Sequence, residues 1–308
     1  MHFFFSTIIL MLAMNSCSSA SVNNNRSVDS ISDSNKETIA QPVEKTPINI
    51  CYNNETQDVP KIEAVLNKVK GIDNLNERII AITQEFIGLP YGGATGNVPK
   101  GEQLFINTAR LDCVTFVETV TAIALAAEEK NPTIEDFAEK LQSIRYRNGK
   151  IDGYASRLHY ISEWAVDNAL RGNLREVTSE CGLSEKRVKT IDYMTRNRDL
   201  YPALKDEKLY QAIKENEKAL KDLRHYIIPT AKVNNAGKSF LKSGDIVAIV
   251  TKKPGLDVSH VGVVNVKNGI PYLIHASSKY KKVVNDTVTL QDYLTRQGSP
   301  GIRVFRVS

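Results

Sequence analysis

The chain has 308 residues, 42% hydrophobic and 24% charged, which is enough apolar material for a sizeable core in one or two domains. Its net charge of +5 is not gathered into a basic run with interleaved aromatics, which excludes a nucleic-acid groove. The lysines read as solvated surface.

The first 20 residues contain an apolar stretch of signal-peptide length, short for a retained membrane helix, although His2 stands where Lys or Arg is usual. In Met14-Asn15-Ser16-Cys17 a cysteine directly follows the apolar run, as at a bacterial lipoprotein processing site. Ser18-Ser19-Ala20 offers an ordinary signal-peptidase site instead. The protein is therefore expected to be exported, either anchored to the outer membrane by a lipid on Cys17 or soluble in the periplasm. Residues 21–58 are rich in Ser, Asn, Asp and Glu and too poor in apolar residues to offset their ordering entropy, so they predict a disordered linker.

Residues 59–308 read as a single domain. Helical spacing over 61–70 and 75–88 ends at Leu89-Pro90-Tyr91-Gly92-Gly93, and a loop runs on to about Arg110. Residues 113–129 are apolar on most faces and predict a buried helix. From about 132 to 225 the pattern predicts a helical insertion, with helices over 133–144, 157–170, 184–197 and 206–224. Short β-rich runs at 245–251, 259–266, 271–276, 282–289 and 302–307 then predict an antiparallel meander, with Lys267-Asn268-Gly269 as a hairpin turn. Helices first and strands later give an α+β fold.

Of four cysteines, Cys17, Cys51, Cys113 and Cys181, removal of Cys17 leaves an odd number and no complete disulfide framework. Cys51 and Cys181 read as plain thiols. Cys113 follows Asp112, a good N-cap residue, and opens an otherwise apolar helix, where unpaired amides and the helix dipole favour thiolate. Comparable thiols have pKa values of roughly 3.5–7.5. A small buried hydrophobe is the other reading of the same position.

His260 and His275 fall on adjacent predicted strands, close enough across the hairpin for one imidazole to orient the other. With Cys113 they form the nucleophile, base and orienting group of a cysteine hydrolase. The same three side chains are also the donor types of a zinc site. However, the chain has no clustered pair such as Cys-x-x-Cys or His-Glu-x-x-His, and neither metal nor cofactor is expected.

Leu111-Asp112-Cys113-Val114-Thr115-Phe116, Gly244-Asp245-Ile246-Val247, Ser259-His260-Val261-Gly262-Val263 and Ile274-His275-Ala276-Ser277 resemble, in order and context, the motifs of NlpC-type papain-like cell-wall hydrolases. Leu89-Pro90-Tyr91-Gly92-Gly93 is similar to that superfamily's substrate-loop tyrosine motif. Val114-Thr115 in place of Ser-Gly, the long insertion, Ser156-Arg157-Leu158-His159-Tyr160 and Trp164 resemble its N-acetylmuramoyl-L-alanine amidase-like branch. This resemblance implies a papain-like fold, catalytic Cys113, His260 and His275, and peptidoglycan fragments as substrates. The bond cut would join the lactyl group of N-acetylmuramic acid to L-alanine. A γ-D-glutamyl-diamino acid endopeptidase and a non-catalytic wall-binding lipoprotein are the alternatives.

The resemblance also implies substrate contacts at Tyr91, whose hydroxyl would help stabilise an oxyanion, and at Asp112. In peptidases of the superfamily the residue matching Asp112 receives a free amino terminus, whereas here it reads equally as a helix cap. Arg157, His159 and Trp164 lie within about two helical turns and could form a sugar-binding wall. Alternatively Trp164 is a core anchor with Arg157 on the surface.

Overall fold

The computed structural model describes residues 48–93 and 101–308, which belong to one compact unit. The elements run β1 (Ile50–Tyr52), α1 (Glu55–Val69), α2 (Leu75–Gln84), β2 (Leu104–Ile106), α3 (Cys113–Ala126), α4 (Ile134–Arg145) and α5 (Ile161–Leu170). They continue through β3 (Leu174–Glu176), β4 (Glu185–Lys189), α6 (Tyr193–Arg196), α7 (Glu207–Lys218), β5 (Leu223–Pro229) and α8 (Val233–Ser239). The last are β6 (Ile246–Val250), β7 (Val258–Lys267), β8 (Ile270–Ser277), β9 (Lys282–Thr289), α9 (Leu290–Arg296) and β10 (Gly301–Val307). Among the described residues no helix is long and apolar enough to cross a membrane.

The architecture is α+β. Among the described residues eight strands form one sheet in the order β4-β5-β10-β6-β7-β8-β9, with β3 pairing β10, and every pairing is antiparallel. The expected hairpin joins β7 to β8. Asn268 and Gly269 both adopt positive φ (52° and 75°), as a two-residue turn matching the strand twist requires.

Side-chain alternation divides the sheet into two apolar faces. Ile246, Ala248, Val261, Val263, Ile274 and Ala276 belong to the larger core, which is filled by α1 to α4. Val247, Ile249, Val264, Leu273, Ile302 and Val304 meet α8 and α9 on the other face. Helix α3 is buried from Phe116 to Ala126, so its apolar residues on all sides are used against α1, α2, α4, β7 and β8.

The structure corrects several expectations. The linker cannot run to residue 58, because β1 and the start of α1 are already folded. Asp58 is buried and accepts hydrogen bonds from the Asn54 and Thr108 amides and the Thr108 hydroxyl (2.7–2.8 Å). A few well-placed polar contacts here do what composition did not reveal. Cys51 accordingly lies in a strand. The signal segment, Cys17 and most of the linker fall outside the described residues.

The segment 132–225 is not simply helical. Residues 184–197 contain β4 and only one helical turn, because β4 pairs with β5 from Glu185↔Ile227 to Lys189↔Leu223. His225 and Tyr226, just past the helix expected over 206–224, belong to β5. The helix expected from Arg157 starts only at Ile161. Arg157 is extended and bridges to Tyr146, so Arg157 and Trp164 do not share a helical face.

Candidate active site

Cys113 occupies the first position of α3, and the cap beneath it is complete. The Asp112 carboxylate accepts from the Thr115 amide (2.8 Å), and the Thr115 hydroxyl accepts from the Asp112 amide (2.9 Å). This reciprocal box fixes the angle at which the chain enters the helix. The backbone amides of Val261, Cys113 itself and Val114 lie near the Cys113 sulfur and favour its charged form. The thiol is thereby held against the residue that follows His260.

Two irregularities shape the surroundings of His260. Between Ile249↔His260 and Val250↔Val258, β7 carries one extra residue, Ser259, and this bulge bends the strand beside His260. At Gly262 an added Cβ would stand 2.8 Å from Leu273 Cδ1, 2.9 Å from the Ile274 carbonyl oxygen and 3.0 Å from His275 Cβ. The missing side chain is the space across which His275 approaches His260. Their nitrogens, His260 Nε2 and His275 Nδ1, are 2.6 Å apart with ring planes at 88°.

Burial pushes the Cys113 thiol up to about 11, with the Asp112 charge adding to it, while the nearby amides pull the other way. Burial drives His260 down, reinforced by His275, and takes His275 down to about 4. This runs against the thiolate expected from the helix start: loss of water outweighs the amides and shifts the thiol and both imidazoles towards their neutral forms.

Tyr91 lies close to Cys113 and Asp112. Its amide donates to the Lys281 carbonyl (2.9 Å), and the Gly92 amide donates to that of Leu111 (3.1 Å), which ties the loop to the entry of α3. Burial raises the Tyr91 hydroxyl pKa, with further contributions from Cys113 and Asp112. Beside it lies a cavity of about 310 Å³ whose walls include Arg110, Leu111, Asp112, Thr115, Glu102 and Arg157.

Arg157 reaches that cavity from its extended segment. Its Nε and Nη2 both donate to Glu102 Oε1 (2.9 and 2.6 Å), which also accepts from the Tyr146 hydroxyl (2.7 Å). His159 turns away. It stacks on Tyr154 with ring centroids 4.5 Å apart, its Nε2 is 3.0 Å from the Tyr154 carbonyl oxygen, and burial lowers its pKa to about 4. Trp164 is only 1% exposed and packs edge-on against Phe305, so it is a core anchor and cannot form a sugar wall.

Sequence reading did not single out Asp286 or Tyr293. The Tyr293 ring lies 5.4 Å from that of His275 and 6.3 Å from that of His260. Burial, Asp286 and Cys113 together push its hydroxyl up to about 12. Asp286 Oδ2 stands 3.7 Å from His275 Nε2. The only signal for either was the polar run Asn285-Asp286-Thr287 interrupting a strand.

Among the described residues no group of three or more His, Cys, Asp or Glu is placed to hold a metal ion. The imidazole contact itself opposes zinc, since two nitrogens at roughly 2.0–2.1 Å on a tetrahedral ion stand roughly 3.3 Å apart. At 2.6 Å the pair shares a proton instead.

A nucleophile-type side chain at a helix start, a half-buried imidazole paired with a fully buried one, and an adjoining cavity are the parts of a hydrolase centre. The chain belongs to the AmiA-like, N-acetylmuramoyl-L-alanine amidase-like family, whose model matches residues 81–302. Among solved structures, it is 36% identical to an N-acetylmuramoyl-L-alanine amidase from Bacteroides uniformis. The match has a TM-score of 0.71 and covers 76% of this chain and 99% of that one. A Bacteroides fragilis protein bearing a provisional xylanase name is 40% identical, with a TM-score of 0.69 and coverage of 73% and 99%. A Legionella pneumophila protein of the DUF1460 family is 26% identical, with a TM-score of 0.64 and coverage of 82% and 95%. No curated protein matches the chain.

Proposed function

We propose that the protein is a cysteine amidase of papain-like type that hydrolyses the N-acetylmuramoyl-L-alanine bond of peptidoglycan fragments. The observation that carries this reading is the Cys113 thiol held against Val261, next to a His260–His275 pair closed to 2.6 Å, in a chain of this amidase-like family. The papain-like part of this reading is supported by Cys113 at the head of a buried helix with His260 on the facing antiparallel sheet.

The chemistry follows from the neutral resting pair. As Cys113 Sγ attacks the lactyl carbonyl carbon, its proton passes to His260, so charge appears only as the bond forms. The carbonyl oxygen becomes an oxyanion that the Cys113 amide and Tyr91 hydroxyl can stabilise. Cleavage of the C–N bond is assisted by His260, which returns the proton to the departing L-alanine nitrogen. Water, deprotonated by His260, then attacks the thioester and releases the muramyl carboxylate and the thiol.

Asp112 caps α3 through Oδ1 and also lines the cavity, so product analysis, not this residue, separates the amidase from a γ-D-glutamyl endopeptidase. A xylanase would need a pair of catalytic carboxylates. The carboxylates lining the cavity, Glu102 and Asp112, are instead bound by Arg157 and engaged in the α3 cap, respectively. Export, with or without a lipid on Cys17, is part of the proposal and rests on sequence alone.

The test is mass spectrometry of defined muropeptides after incubation with the full chain. Release of a peptide with a free L-alanine amino terminus is expected, surviving chelator and abolished by thiol alkylation or Cys113→Ala. Cleavage after D-glutamate, or turnover by Cys113→Ala, would refute it.

A further inference from the structure

The His275 nitrogen that does not face His260 is buried without a hydrogen-bond partner, on a side chain 1% exposed. Its nearest charged neighbour is Asp286 Oδ2 at 3.7 Å, whose own side chain is 3% exposed. Such a carboxylate is rarely buried without a task.

The backbone places Asp286 there by an irregularity. Along β8 and β9 the register passes from Ile274↔Asn285 to Tyr272↔Thr289, so two residues of β8 are matched by four of β9. Residues 286–288 form the resulting bulge, a device that re-aims side chains beside active sites. Within it, the Val288 amide donates to Asp286 Oδ1 (3.2 Å), leaving Oδ2 towards His275.

We propose that Asp286 is a positioning residue that fixes the tautomer of His275 and, through it, makes His260 a base; this rests on the cysteine-amidase reading. One proton occupies the 2.6 Å contact between the imidazoles. If His275 carries its proton on Nε2, towards Asp286, its Nδ1 accepts and His260 must donate from Nε2. The free lone pair of His260 is then on Nδ1, the only nitrogen left to take the thiol proton. If His275 donates from Nδ1, His260 Nε2 accepts, its proton sits on Nδ1, and no base faces the thiol. A carboxylate at Nε2 selects the first arrangement. The 3.7 Å separation shortens to a hydrogen bond as His260 gains charge, as catalytic contacts do in the reacting complex.

The test uses iodoacetamide, which needs no muropeptide, with peptide mapping to follow Cys113 alone. Asp286→Asn is expected to slow alkylation by about tenfold or more, and to have no further effect in a His275→Asn background. Wild-type alkylation in Asp286→Asn, or multiplying effects in the double variant, overturns the proposal. Should Asp286→Asn fail to fold, nitrogen-15 NMR of wild-type histidines decides: His275 protonated at Nε2 supports the proposal and at Nδ1 overturns it. Failure of the amidase reading looks different, because muropeptides then stay intact in a protein whose Cys113 still responds to Asp286.

Discussion

His260 Nε2 and His275 Nδ1 meet at 2.6 Å with their rings nearly perpendicular, so in the proposed mechanism the second imidazole acts through the first. It holds the base by one hydrogen bond, and whatever keeps an acceptor at that place should keep part of the function. His275→Asn preserves a carbonyl oxygen there, whereas His275→Ala leaves His260 Nε2 buried and unpaired. Turnover is expected to fall in the order wild type, Asn, Ala, with kcat changing more than KM. Equal loss in both variants would show that the imidazole ring itself is required.

Acidification should weaken the fold before it titrates the base. His159 and His275 sit near pKa 4 and His260 is also depressed, all by burial, against an ordinary value of 6.5. Below pH 6.5 the unfolded chain takes up protons that the folded protein refuses, so stability present above 6.5 is lost as pH falls through about 4. A single fully shielded histidine contributes on the order of 2 kcal/mol at pH 5. Thermal unfolding is expected at falling Tm from pH 7 to pH 5, with a shallower slope in His159→Gln. The acid limb of kcat/KM should lie well below 6.5, and a limb centred at 6.5 would show an ionised imidazole at rest.

Gly262→Ala tests the space between the strands. The new methyl would lie 2.9 Å from the Ile274 carbonyl oxygen, a backbone atom that cannot swing aside, and 3.0 Å from His275 Cβ. Overpacking of this kind costs about 1–3 kcal/mol. Displacing His275 should lower kcat as well. Normal kcat at a reduced Tm would mean that the strand yields without moving the imidazole.

The placing of Cys113, His260 and His275, the proposed catalytic trio, was legible because each member carries its own local sign. Asp112 before an apolar run marks a capped helix start, and the Asn-Gly turn sets the β7–β8 register that brings the histidines together. The late strands were legible for the same reason, being bounded by turn residues. Asp286 was not, because a bulge has no periodicity and its effect depends on β8. Residues 184–189 failed for another reason: mixed charges at helical spacing resemble an amphipathic helix, and pairing to β5 overrides that local preference. For the thiol, sequence showed both the helix start and the buried helix, and the balance between amides and desolvation depends on packing that only the folded chain fixes.

Trp164 separates packing from recognition most directly. Its ring is buried between α5 and the sheet, 6.1 Å from that of Phe305, and its indole nitrogen has no hydrogen-bond partner. Nothing polar is therefore lost on truncation, and the cost is that of the cavity. Trp164→Ala should destabilise by about 3–5 kcal/mol, the range for removing a large buried aromatic side chain. Trp164→Phe keeps most of the volume and should cost markedly less. For both variants, calorimetry should show the loss in Tm, while KM for muropeptides, measured well below the new Tm, stays within about twofold, a change of less than half a kcal/mol. A large rise in KM in Trp164→Phe with little change in Tm would restore the ring to the substrate and remove it from the core.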